Sequence, residues 1–322
     1  MAKPCASGKR TAPFSVQTAR QLRSGETGVS FRYLSAMTSP AHNIASWLSH
    51  WSEVSGDRLA IVDPDRRLSY RELEDRVRRL ARWLSDSGIR SGDRVALVLA
   101  NGSPYLEVVL AAARIGAIAL PINSRLSASE MALLLEDSSP AVLFHATRFA
   151  SKVRDACSRV PTPTPRLVEV GGKPDPYETE IMGSLSEGKL VDADPEDPML
   201  LMYTSGSSGQ PKGALLPHRK THFNSLNAQI YFGIRPEDRV LICTPLFHSL
   251  GLNILALPAL YCGATLILHD GFDPETVWND VATENVTYMG GVPTQYERMY
   301  EALQSPDTSQ PSSLRFLFTA GA

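Results

Sequence analysis

Tyr203-Thr-Ser-Gly-Ser-Ser-Gly-Gln-Pro-Lys-Gly213 packs two loop glycines, four aliphatic hydroxyl side chains and a lysine behind the apolar stretch Met199-Leu-Leu-Met202. Gly206 and Gly209 free the backbone for tight turns in which successive N–H groups converge on an anion, and Thr204, Ser205, Ser207 and Ser208 add donors. Lys212 adds a positive charge. The run is not a Walker A loop, which needs Gly-Lys followed by Ser or Thr; here the lysine stands between Pro211 and Gly213. A flexible Gly/Ser linker has a similar composition. The flanks argue against it: an apolar strand enters the loop and Gly213-Ala-Leu-Leu216 leaves it as apolar structure, so the segment reads as a polyphosphate cradle clamped between elements.

Outward from the loop, strand and helix patterns alternate. Ile44 to Ser52 reads as a helix and Leu59-Ala-Ile-Val62 as a strand. Ser69 to Ser85 carries apolar residues at helical spacing, with Ser69 and Glu72 forming a capping box, Gly88 as the stop and Arg78, Arg79 and Arg82 as a solvated face. Val95–Leu99 and Ala117–Pro121 read as strands, and Tyr105–Gly116 and Ser129–Asp137 as helices. Beyond the loop, Val240–Thr244, Gly263–Leu268, Val286–Met289 and a buried Leu314–Thr319 are predicted strands, with helices near 250–260 and 274–285. The pattern implies an α/β fold: two βαβ-type subdomains, about 38–190 and 198–322, with mostly parallel sheets flanked by helices and ligand sites at the strands' carboxyl ends. Residues 160–198, rich in proline, glycine and charge, read as the connection. Within it Gly183 to Lys189 imitates a Walker A opening, but Leu190 occupies the Ser/Thr position and marks a decoy.

With 322 residues, 43% of them hydrophobic, the chain can bury a sizeable core, and a net charge of −2 gives no footprint for nucleic acid. No apolar run reaches the ~20 residues of a membrane span. Cys5, Cys157, Cys243 and Cys262 lack metal or disulfide spacing, so a reducing cytosol is expected. His218 and His222 are four apart, but no third ligand is nearby to make a zinc site. The first 37 residues differ in kind: six basic residues face only Glu26. Such a leader fits a mitochondrial transit peptide or an upstream extension from a misplaced start with Met37 as the true one; the extension is favoured.

YTSGSSGQPKG resembles the phosphate-binding signature of the adenylate-forming (AMP-binding) superfamily of acyl-CoA synthetases, amino-acid-adenylating domains and luciferases. Leu68-Ser-Tyr-Arg-Glu-Leu73, Ala111 to Asn123, Pro245-Leu-Phe-His-Ser-Leu-Gly-Leu252 and Gly291-Val-Pro-Thr294 resemble further blocks in the same order. The resemblance covers about residue 41 onward and implies the large N-terminal domain of an acyl-CoA synthetase, residues 38–322. It also implies that the sequence stops before the family's later nucleotide-binding segments, hinge and small C-terminal domain.

The resemblance further implies ATP and Mg²⁺, with coenzyme A and a carboxylic acid as substrates. Thr204, Ser205, Gly206, Ser207, Ser208, Gly209 and Lys212 would cradle the nucleotide's phosphates. Phe247 and His248 would lie beside the acyl carboxylate, His248 in the catalytic role; Gly291 would line the acyl pocket, and Gly321 and Ala322 would abut adenine. Amino-acid-adenylating domains usually carry Phe-Asp where this chain has Phe247-His248, so the histidine favours an acid without an α-ammonium group. An acyl-CoA synthetase of fatty or other organic acids is the expected activity. A dicarboxylate or aryl-acid CoA ligase and an inactive nucleotide- or acyl-binding remnant are the alternatives.

Overall fold

The computed structural model describes residues 43–161, 163–183, 190–205, 211–303 and 313–320. In chain order the elements are α1 (Ser46–Val54), β1 (Leu59–Val62), β2 (Arg67–Ser69), α2 (Tyr70–Asp86), β3 (Arg94–Val98), α3 (Ser103–Arg114), β4 (Ile118–Pro121), α4 (Ala128–Ser138), β5 (Val142–Ala146), α5 (Ala150–Ser158) and β6 (Arg166–Val170). A π-helical turn at Tyr177–Ile181 precedes β7 (Pro198–Ser205), β8 (Pro211–Pro217), α6 (His218–Phe232) and β9 (Arg239–Ile242). A second π-helical stretch, Leu250–Ala256, runs into α7 (Leu257–Cys262), followed by β10 (Thr265–Leu268), α8 (Pro274–Thr283), β11 (Tyr288–Gly291), α9 (Pro293–Leu303) and β12 (Phe316–Thr319).

The strands form two six-stranded sheets, ordered β12-β11-β9-β10-β1-β2 and β6-β5-β3-β4-β7-β8. In each, every neighbouring pair is parallel except the last, where β2 or β8 turns back antiparallel. The mostly parallel α/β architecture is as expected. The division of the chain is not, because the sheets exchange strands across the expected cut near 190–198: β1 and β2 join the later strands, and β7 and β8 join the earlier ones.

Period-two alternation explains the layers. On β3, Val95 and Leu97 face a core shared by both sheets, whereas Ala96 and Val98 face an outer core under α4 and α5. A third core, on the far side of the other sheet, packs Leu241, Ile267 and Met289 under Val277, Trp278 and Val281 of α8. The central layer holds α3, whose residues 105–114 are all buried. Fully burying each large aliphatic side chain is worth about 1.5–3 kcal/mol.

The capping box at the start of α2 forms as expected: the Ser69 side chain accepts from Glu72 N–H while the Glu72 carboxylate accepts Ser69 N–H. The arginines on that helix are not a free solvated face. All three are half-buried, and Arg79 and Arg82 pair with Asp75 and Asp86 one turn away. β12 also departs from expectation. As an edge strand covered on one face only, it alternates half-buried and exposed residues. The basic leader and residues 184–189 of the decoy loop lie outside the described residues.

Candidate active site

β7 runs parallel to β4 and pairs antiparallel with β8, so the described hairpin has its tip at the register pair Ser205 and Pro211, at the carboxyl end of β7. Thr204 and Lys212 are register partners beside that tip, and both are exposed. Ser205 closes β7; Gly206, Ser207, Ser208 and Gly209 lie outside the described residues. Tyr203 faces Gly213 across the ladder, and a Cβ on Gly213 would fall 2.8 Å from Leu201 Cδ1 and 3.3 Å from the Tyr203 ring. The glycine therefore lets the two strands close under the loop. Tyr203 OH donates a short hydrogen bond to Asp137 on α4, which ties the hairpin to the outer helix layer.

In the other sheet, β9, β10, β11 and β12 run parallel and end on one edge. The turn after β9 carries Phe247 and His248, whose rings lie 4.6 Å apart. His248 N–H donates to Pro245 O at 3.1 Å, and His248 O receives Leu252 N–H at 3.1 Å, so the turn leads straight into the π-helical stretch. Gly251 makes that entry possible: a Cβ there would meet Pro245 O at 2.5 Å. Although His248 keeps part of its surface open, desolvation by its surroundings, and secondarily the Arg125 guanidinium, holds its imidazole below the ordinary histidine pKa. The ring thus stays neutral at pH 7.

The two sheets meet at this turn. Arg125, whose charge acts on His248, lies in the segment after β4 of the loop-bearing sheet. Asn253, five residues beyond His248, donates to Met202 Sδ on β7 at 3.1 Å, and its carbonyl accepts from Asn224 on α6 at 2.6 Å. Its buried Oδ1 has no protein partner, nor has the buried Oγ1 of Thr244 in the same turn. Unpartnered polar atoms near strand ends are natural places for a ligand to complete the bonding.

Gly291 ends β11, and its carbonyl accepts Ala320 N–H at 3.1 Å; Gly321 and Ala322 lie outside the described residues. The space around the two glycines of β11 is filled by side chains of the protein. A Cβ on Gly290 would meet the Phe318 ring at 2.5 Å, and one on Gly291 would meet Gln295 Oε1 at 3.0 Å and the Tyr296 ring at 3.2 Å. Close approach at Gly290-Gly291 thus serves packing of β12 and α9 first.

His218 lies away from this chemistry: it is buried at the start of α6, where its Nδ1 accepts Ile44 N–H at 3.2 Å, and burial pushes its pKa down to about 4. His222 packs its ring 5.5 Å from that of Tyr261 and 6.1 Å from that of Trp47. Cys243 is buried beside the site with Gln295 Nε2 at 3.6 Å from its sulfur, and desolvation pushes its thiol up to about 12, which makes it inert. Sequence reasoning missed Arg125 and Asn253; neither belongs to a local pattern.

Comparison with known proteins agrees with the fold. The family described as AMP-binding enzyme matches residues 48–322. Feruloyl-CoA synthase from Amycolatopsis sp is 36% identical over 281 residues, covering 87% of this chain and 54% of that protein. The inhibitor-bound N-terminal domain of FACL13 from Mycobacterium tuberculosis superposes with a TM-score of 0.79 at 29% identity, over 87% of this chain and 70% of that one. ATP-bound MatB from Rhodopseudomonas palustris superposes with a TM-score of 0.78 at 26% identity, over 88% and 55%. The chain spans about half the length of the curated relatives it matches. Among the described residues no helix is long and apolar enough to cross a membrane.

Proposed function

We propose that this chain, which belongs to the AMP-binding enzyme family, activates a carboxylic acid with ATP and passes the acyl group to the thiol of coenzyme A. The observation that carries this reading is the junction of the two sheets. The His248 turn is bonded through Asn253 to β7, the strand that delivers the phosphate loop, so acid and nucleotide would meet within one crevice.

In the first half-reaction a carboxylate oxygen bonds to the α-phosphorus of ATP, and the bond to pyrophosphate breaks. In the second, the thiol sulfur bonds to the acyl carbon and AMP leaves. Both steps depend on positioning and charge stabilisation. Thr204, Ser205, Gly206, Ser207, Ser208, Gly209 and Lys212 would hold the β- and γ-phosphates, the backbone N–H groups and hydroxyls donating and Lys212 supplying charge. Neutral His248 would offer an N–H to the acid's carboxylate or the forming acyl phosphate, with Phe247 excluding water. A neutral ring suits this role, since a tight ion pair with an imidazolium would lower the carboxylate's nucleophilicity. Gly291 would flank the acyl group, and Gly321 and Ala322 would approach adenine.

Mg²⁺ would offset charge on the phosphates. Among the described residues no group of three or more His, Cys, Asp and Glu stands ready to hold a metal ion.

An aryl acid is the favoured substrate class, since feruloyl-CoA synthase is the relative compared at 36% identity. Fatty acids and dicarboxylates are the competitors. Acid-dependent ATP–pyrophosphate exchange by the natural protein, across a panel of aryl, fatty and dicarboxylic acids, tests the reading. Exchange strongest with aryl acids is expected; exchange with none would favour a non-catalytic binding protein.

A further inference from the structure

Asn101 follows β3 in one sheet, yet its side-chain hydrogen bonds reach the other. Its Oδ1 accepts Leu246 N–H at 2.9 Å, and its Nδ2 donates to Thr244 O at 2.9 Å and to His269 O at 3.0 Å. Two of these partners lie in the turn after β9, four and two residues before His248. The third follows β10, and His269 N–H itself bonds back to Ile242 O at 3.0 Å at the end of β9. One planar carboxamide therefore joins three segments, with both of its N–H groups and its oxygen engaged.

We propose that Asn101 is a positioning residue that sets the Thr244–Leu246 turn, and through it the place of Phe247 and His248, relative to the nucleotide cradle on its own sheet. The proposal rests on the assignment of His248 to the acid site. Only an amide of this length supplies the pattern. An aspartate keeps the acceptor for Leu246 N–H but turns its second oxygen against two carbonyls, and an alanine leaves one N–H and two carbonyl oxygens without their partner. The turn transmits the placement because it is internally bonded, His248 N–H to Pro245 O and Leu252 N–H to His248 O.

Asn101→Ala and Asn101→Asp are to be compared with the unmodified protein in two ways. In acid-dependent ATP–pyrophosphate exchange with acid and ATP varied separately, kcat/KM for the acid is expected to fall about tenfold or more while KM for ATP stays within about twofold. Equal losses in the acid and ATP terms, or a loss no larger than the fall in folded fraction of the same samples, would overturn the proposal. Independently of activity, NMR titration of the His248 imidazole, assigned with His248→Gln, is expected to show the Asn101→Ala variant returning toward the ordinary value of ~6.5. An unmoved titration would overturn the proposal as well. Absence of exchange in the unmodified protein would instead remove the acid-site assignment, leaving the titration to judge whether Asn101 places the ring.

Discussion

The ion network between α2 and α3 and the turn after β9 both bury polar groups, but the first closes on itself and the second does not. Glu107, fully buried on α3, accepts from Arg76 at 2.6 and 3.2 Å and from Tyr177 OH; Arg76 also reaches Glu178, and Glu178 binds Arg66. At the turn, Thr244 Oγ1 and Asn253 Oδ1 are buried without a protein partner, and His248, though exposed, is held below the ordinary histidine pKa. A closed network specifies how the segment around Tyr177 docks on the core. An open turn keeps bonding capacity for a bound molecule. The contrast separates residues that hold the fold from residues proposed to meet a substrate.

The largest expected effect lies in the closed network. Glu107→Ala should cost about 3–5 kcal/mol, read by denaturant unfolding, because it removes a fully buried carboxylate from half-buried Arg76, which keeps only Glu178, and leaves the buried Tyr177 hydroxyl without its acceptor. A loss below about 1 kcal/mol would show that the network is not closed in solution.

Next comes a pH effect at His218, a second closed site. Its Nδ1 must stay unprotonated to accept Ile44 N–H, and its folded pKa of about 4 lies below the ordinary ~6.5 of the unfolded chain. The unfolded state therefore binds more protons between these values, so stability is full above about pH 6.5 and falls progressively toward pH 4. The loss is on the order of 3 kcal/mol, and His218→Asn should flatten this part of the profile measured by thermal unfolding.

At the open site the sign reverses, with function changing and stability staying. Lys212 is exposed, so Lys212→Ala should leave unfolding within about 0.5 kcal/mol while weakening ATP binding about tenfold by calorimetry. His248→Ala should likewise spare the fold and slow the acid-dependent step. The smallest effect should come from Tyr203→Phe, which removes the hydroxyl bond to Asp137 under the loop; about 1 kcal/mol or less of stability is expected, with a modest rise in KM for ATP.

The same contrast explains what the sequence made legible. The capping box of Ser69 and Glu72 is visible because its partners lie three residues apart, and the loop from Tyr203 to Gly213 because its glycines, hydroxyls and lysine are contiguous. Period-two strands and helical stripes located most elements for the same local reason. α6 escaped because its polar residues surround the helix and leave no stripe, and β2 because three residues carry little pattern. The exchange of β1–β2 and β7–β8 between sheets was hidden by distance: Ile61 pairs with Leu266, and Ala119 with Leu200. Asn101 was hidden likewise, since its partners stand 143 to 168 residues away. The residues proposed for the nucleotide are contiguous in the chain and were legible from local chemistry; those proposed for the acid are held by long-range contacts, and only the family block around His248 pointed to them.

The most direct test is a structure of the protein bound to a hydrolysis-resistant acyl-adenylate mimic with an aryl acyl group. The account predicts the phosphate-replacing group beside the β7–β8 hairpin at Thr204 and Lys212, with the acyl end against His248 and Gly291. Binding elsewhere, such as in the separate cavity of about 490 Å³ lined by Asp63, His269 and Asp280, with the hairpin and the His248 turn untouched, would contradict it.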